Sequence, residues 1–237
     1  MSPDEIPPVL TRAELETPRS AADMLAWVDQ AHRRFNTKEL KAEAREGKHF
    51  NGELVHEARP MALFANRHFK ASPQVIITHV LGNQNYDGIV EDRRDFPELI
   101  RYLEVTTTLK TYEDSLRLEV LNKDGHVPAY GRVTAVGPRH KREAIRTEKN
   151  AIEHGVIRDE HLKRVRDVVE GKVKKNYEPG TVLIVAVDDF GPFREQADVR
   201  ALERLVSGFL LPALRGKNFA ALALEGDNGL HRWYPIA

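Results

Sequence analysis

Residues 101–110 read RYLEVTTTLK. Tyr102, Leu103, Glu104, Val105 and Thr106 alternate as a half-buried strand does, because successive side chains on a strand point to opposite faces. Leu103 and Val105 share one face; Tyr102, Glu104 and Thr106 share the other. A carboxylate inside so apolar a strand needs a partner, and the next position on its face, 106, is threonine and not a cation. The strand also needs a sheet, which the flanking sequence supplies.

Upstream, QVIITHV (74–80) is continuous and apolar, the pattern of a central strand. LGNQN (81–85) reads as a turn and YDGIVE (86–91) as the strand that follows. RRDFPE (93–98) is a second turn before the strand LIRYLEVT (99–106). Downstream, SLRLEVLN (115–122), the turn KDG and YGRVTAVG (130–137) read as a hairpin, and GPRHKREAIRTEKNAIEHG (137–155) as a basic helical segment. From 159, Leu162, Val165, Val168, Val169 and Val173 keep helical spacing. TVLIVAVDD (181–189) and NFAALALEG (218–226) are buried strands, with an amphipathic helix QADVRALERLVSGFLL (196–211) between them.

Two helices precede the strands. Ser20 can cap one through 21–35, with Met24, Leu25, Val28 and Phe35 as a partial apolar stripe. GELVHEARPMALFANRHF (52–69) carries Leu54, Ala58, Met61 and Ala65, and Pro60 kinks this helix or starts its second half. Glu57 falls on that apolar stripe, where an acid is unusual. Residues 1–19 read as a loosely held polar tail and 20–237 as a single domain. Helices interleaved with buried strands make this an α/β fold.

The composition narrows the function classes. The 237 residues suffice for one sizeable core. Charge balances at 36 basic against 36 acidic residues, so a nucleic-acid partner would have to meet a local basic patch. The absence of cysteine excludes disulfides, thiolate metal sites and a cysteine nucleophile. No apolar run approaches the roughly 20 residues of a membrane span, and the acids and prolines near the N-terminus do not suit a signal peptide. The expectation is a soluble, cytoplasmic protein. No glycine-rich phosphate loop and no HExxH spacing occurs.

Three acids are candidates for chemistry. Asp87 opens a strand, on the face of Ile89 and Glu91; Glu104 lies in the next long strand; Glu57 projects from the preceding helix. If the two strands are neighbours, Asp87 and Glu104 converge, and paired carboxylates suit a hard cation such as Mg²⁺. With NYDGIV (85–90), YLEVT (102–106) and VVEGKVKKNYEPGTVLIVAVDD (168–189) in the order helix–strand–strand–strand–helix–strand, the chain resembles the PD-(D/E)xK nucleases, the restriction-endonuclease-like superfamily. The resemblance covers roughly residues 50–190.

The resemblance implies a central mixed sheet flanked by helices, here with an extra hairpin and a basic insertion. It implies that Asp87 and Glu104 are ligands of Mg²⁺ or Mn²⁺, and that Glu57 is the helix acid, with Glu53 one turn earlier as competitor. The family lysine is replaced by Thr106, which cannot stabilise developing negative charge as an ammonium does. Lys172, bordering the apolar stripe of its helix, is the candidate replacement, and Lys110 the alternative. The expected function is metal-dependent hydrolysis of phosphodiester bonds in DNA, with Arg139, Lys141, Arg142 and Arg146 gripping the backbone and a homodimer as a further option. The alternative is a catalytically silent member that binds nucleic acid or serves in an assembly.

Plainer readings stand beside these. Glu104 could be a buried carboxylate paired with Arg101 or Arg117, and Glu57 a helix-edge acid. Lys172 could snorkel from an apolar face, and the run 139–149 could be a solvated helix.

Overall fold

The strand read at 101–110 spans Tyr102–Thr107 and lies at the centre of a seven-stranded mixed sheet. The structure is a computed structural model and describes residues 9–37, 40–45, 47–108, 111–127, 132–137, 144–148, 152–189, 193 and 195–236. In chain order its elements are α1 (Arg12–Leu15), β1 (Arg19–Ser20), α2 (Met24–Phe35), α3 (Lys41–Arg45) and α4 (Asn51–Glu53). A π-helical turn (Leu54–Ala58) then leads into α5 (Arg59–His68), β2 (Val75–His79), β3 (Gly88–Asp92) and β4 (Tyr102–Thr107). Next come α6 (Thr111–Asp124), β5 (Val133–Val136), β6 (Ala144–Thr147), α7 (His154–Val173) and β7 (Thr181–Ala186). The chain closes with α8 (Gln196–Leu205), a second π-helical turn (Val206–Leu210), α9 (Leu211–Leu214), β8 (Phe219–Glu225) and β9 (His231–Pro235).

The sheet order is β1-β2-β3-β4-β7-β8-β9. β1 to β4 form antiparallel neighbours, β4, β7 and β8 run parallel, and β9 returns antiparallel to β8. The class is therefore α/β, with helices on both sheet faces. On one face, α2, the first π turn and α5 bury Phe35, Leu54, Met61 and Phe64 against Ile77, Leu103, Val105 and Ile184. On the other, α7, α8 and α9 bury Val165, Val169, Leu202 and Leu214 against Leu183, Val185, Leu222 and Leu224. This second layer reaches no further than β4. On the same face of β3, Ile89 is 38% exposed.

Both π turns precede a proline. Pro60 and Pro212 lack an N–H, and each ring would crowd the carbonyl four residues back. The wider turns relieve this: Arg59 N–H reaches Leu54 O and Leu211 N–H reaches Val206 O, each five residues back. Pro60 thus starts the second half of its helix, as expected. Leu54, Ala58, Met61 and Ala65 are all fully buried.

Several local expectations are corrected. Residues 111–124 are helical: SLRLEVLN buries Leu116 and Val120, one helical turn apart, and is not a hairpin strand. The hairpin instead joins β5 to β6, so residues 144–147 of the basic segment are a strand and not a helix. Residues 9–19 are not a loose tail, since Leu10 and Leu15 enter the core and Arg19 pairs with Ile77. β4 is not half-buried: Leu103, Glu104 and Val105 are all buried, because a helical layer covers each face there.

The β4–β7 register depends on Gly180. Its carbonyl accepts N–H bonds from Arg101 and Tyr102, its φ is +84°, and an added Cβ would lie 2.8 Å from Leu99 O. Gly180→Ala should therefore cost about 1–3 kcal/mol, measurable by denaturant unfolding. An unchanged midpoint would show that this turn does not constrain the sheet.

Candidate active site

The pairing of β3 with β4 ends early. It comprises Gly88↔Leu103 and Ile89↔Tyr102, whereas β4 stays paired with β7 out to Thr107. The sheet forks at this point. Asp87, one residue before β3, bridges the fork: its N–H donates to Leu103 O (2.8 Å) and its carbonyl accepts from Val80 N–H (2.9 Å). Its carboxylate Oδ2 accepts the Val105 N–H at 2.7 Å, replacing a backbone acceptor that β3 no longer supplies. Gly88, next in line, allows Met61 to press against the strand, for a Cβ there would lie 2.6 Å from Met61 Sδ.

Continued by one residue, the antiparallel register sets Asp87 opposite Glu104, and opposed residues share a sheet face. Glu104 is 4% exposed. Its Oε1 accepts from Lys172 Nζ at 2.5 Å and from Tyr177 O–H at 3.2 Å. Lys172 also donates to Val105 O at 3.2 Å. Lys172 follows Val165 and Val169 on the inward face of α7, so the helix period that buries those valines delivers the ammonium to the sheet. Burial, and then the charge of Glu104, raises the Tyr177 phenol, which stays protonated and donates.

Asp87 feels the crowding. Burial first, then the charge of Glu104, pushes its carboxyl up to about 7, against the Val105 N–H bond that favours the anion; Glu57 adds to the rise. Glu57 itself bonds His79, Oε2 to Nε2 at 2.8 Å. Burial lowers the neighbouring His56, although Asp114, Glu57 and Glu53 oppose this.

The structure thus brings Asp87, Glu104 and Lys172 together at the fork, with Glu57 electrostatically coupled to Asp87. The expected Arg101 or Arg117 partner for Glu104 is corrected to Lys172 and Tyr177; Arg117 instead reaches Glu113 at 3.3 Å. Arg146 is exposed on β6. Arg139, Lys141, Arg142 and Lys110 lie outside the described residues. His79 and Tyr177 were missed, although His79 stands at a core position of QVIITHV by strand period and Tyr177 follows the basic end of α7.

As a donor set, the fork offers hard oxygens. Glu104 Oε2 and Asp87 Oδ1 accept no hydrogen bond among the described residues. Two carboxylates fit Mg²⁺, which is commonly held by one or two carboxylates with water completing its shell. Among the described residues no three His, Cys, Asp or Glu side chains are gathered as a ready-made metal cage. The main cavity, about 460 Å³, opens elsewhere, at the C-terminal ends of β4, β7 and β8 beside His56, Thr107 and Asp188.

No family model, curated protein or solved structure matches the chain. Among the described residues no helix is long and apolar enough to cross a membrane.

The raised Asp87 carboxyl makes stability depend on pH. A carboxyl whose folded pKa lies above its unfolded value stabilises the fold below the unfolded pKa, and that contribution is lost as pH rises through the folded pKa. Asp87→Asn keeps an oxygen for the Val105 N–H and removes the titration. The variant should gain on wild type between about pH 4 and pH 8, by at most about 4 kcal/mol, in thermal melts across that range. A difference independent of pH would contradict the assignment.

Proposed function

We propose that this chain is a metal-dependent nuclease of the restriction-endonuclease-like type, hydrolysing phosphodiester bonds in DNA. The observation that carries the reading is the placement of Lys172. Its ammonium arrives from the following helix onto Glu104, on the strand face that Thr106 shares, where the family pattern places a strand lysine. The order of helix, antiparallel β2–β3–β4, helix α7 and parallel β7 supports the same reading.

In this reading Asp87 and Glu104 hold Mg²⁺ or Mn²⁺ through the oxygens that no protein donor occupies. A divalent ion so held polarises a phosphoryl oxygen and lowers the pKa of bound water. Lys172 supplies positive charge to the phosphate as negative charge develops there. Tyr177 keeps Glu104 oriented while Lys172 moves between carboxylate and phosphate. Arg146, exposed on the hairpin, belongs to the surface that meets the DNA backbone.

A second reading is favoured by the same contact. Lys172 already neutralises Glu104, as a permanent structural pair would, and the chain would then be a silent nucleic-acid-binding or assembly subunit.

Metal titration and cleavage separate the two. Mg²⁺ or Mn²⁺ should raise the melting temperature of wild type but not of Asp87→Ala. Wild type should cut DNA, and Lys172→Ala should cut about 10²–10³-fold more slowly. Metal affinity in Lys172→Ala should be unchanged or tighter, since the ammonium competes with the ion for Glu104. Thr106→Lys in that background should restore part of the rate. Cleavage by Lys172→Ala at the wild-type rate would refute the role of Lys172. A wild type that never cuts, and is switched on by Thr106→Lys, would establish the silent reading.

A further inference from the structure

His79 is 1% exposed, and its Nδ1 is buried with no hydrogen-bond partner. Its Nε2 lies 2.8 Å from Glu57 Oε2. Three protonation forms are open to a histidine, and the surroundings distinguish them. An imidazolium would strand an N–H at Nδ1 in the core, at a desolvation cost of about 1–3 kcal/mol. The Nδ1–H tautomer would strand the same donor and set a lone pair against the carboxylate. The Nε2–H tautomer donates to Glu57 and leaves only a lone pair at Nδ1. The third form is the one this pocket accommodates.

The pair sits beside the fork. His79 is opposite Gly88 in the β2–β3 register, and the next residue, Val80, donates its N–H to Asp87 O. Glu57 comes from the π turn that packs against β4, and its side chain is 33% exposed. One carboxylate oxygen is therefore tied to a core imidazole, and the group as a whole reaches solvent next to Asp87.

We propose that His79 is a positioning residue: as a neutral Nε2–H imidazole it holds Oε2 of Glu57, so that the other oxygen serves as a third carboxylate ligand position beside Asp87 and Glu104. The assignment rests on the metal-site reading above. It treats the histidine as an orienting group for a ligand and not as a ligand itself, the usual task of a partner one step removed from a metal. A single hydrogen bond fixes the rotamer of a side chain that solvent would otherwise leave mobile.

The test uses the full chain, with Mn²⁺ as the probe and calorimetry as the readout. His79→Leu removes the donor at similar volume; His79→Gln retains an amide donor near the Nε2 position. His79→Leu should weaken Mn²⁺ binding about 10–100-fold, and His79→Gln should recover most of the loss. In a Glu57→Ala background His79→Leu should cost nothing further. Nitrogen NMR of wild type without metal should show His79 as the Nε2–H tautomer, a readout that does not require the variants to fold. Wild-type affinity in a folded His79→Leu protein, or an Nδ1–H tautomer, would overturn this inference alone. A wild type that binds no Mn²⁺ would overturn the metal-site reading and this inference with it.

Discussion

A buried carboxylate on a central strand constrains everything around it. Glu104 has left water, and its desolvation must be offset by charge and hydrogen bonds close at hand. Lys172 and Tyr177 provide both, at 2.5 Å and 3.2 Å. That requirement fixes the length and phase of α7, which must present Lys172 one turn beyond Val169 and on the same side. It also fixes the chain after the helix, where Tyr177 stacks on Phe219 with ring centres 4.5 Å apart. Removing one member of such a pair commonly costs about 3–5 kcal/mol, while removing both costs far less. The pair therefore specifies geometry more than it adds net stability.

The fork in the sheet is the second consequence. Because β3 leaves β4 after Gly88↔Leu103, the Val105 N–H needs another acceptor, and Asp87 provides its side chain. Two carboxylates then face each other with one ammonium between the layers. The strain falls on Asp87, whose carboxyl rises to about 7. A region that holds one acid near neutrality beside a buried ion pair is poised to accept further positive charge. Sites of chemistry are where such perturbed groups gather, although structural ion-pair networks can produce them too.

Much of this was legible in the sequence. The period-2 pattern of RYLEVT placed Glu104 opposite Leu103 and Val105, and the spacing of Val165, Val169 and Lys172 placed the ammonium at the edge of a buried helix face. Turn residues at 81–85 and 93–98 joined β2, β3 and β4 as neighbours, which made the approach of Asp87 to Glu104 foreseeable. SLRLEVLN was not legible, because Leu116, Leu118 and Val120 alternate like a strand while Leu116 and Val120 also keep helical spacing. Tertiary packing, with Leu116 and Val120 buried and Asn122 bonding Ala42 O, chooses the helix. His79 and Tyr177 act through partners 22 and 73 residues away in sequence, and no local period encodes such contacts.

The most direct test of the fork as a metal site is a crystal structure grown with Mn²⁺ and phased at the manganese edge. The account predicts an anomalous peak within coordination distance of Asp87 Oδ1 and Glu104 Oε2, about 2.0–2.2 Å, with Lys172 Nζ drawn away from Glu104. A map with no peak at the fork, and Lys172 still seated on Glu104 and Val105 O, would contradict it.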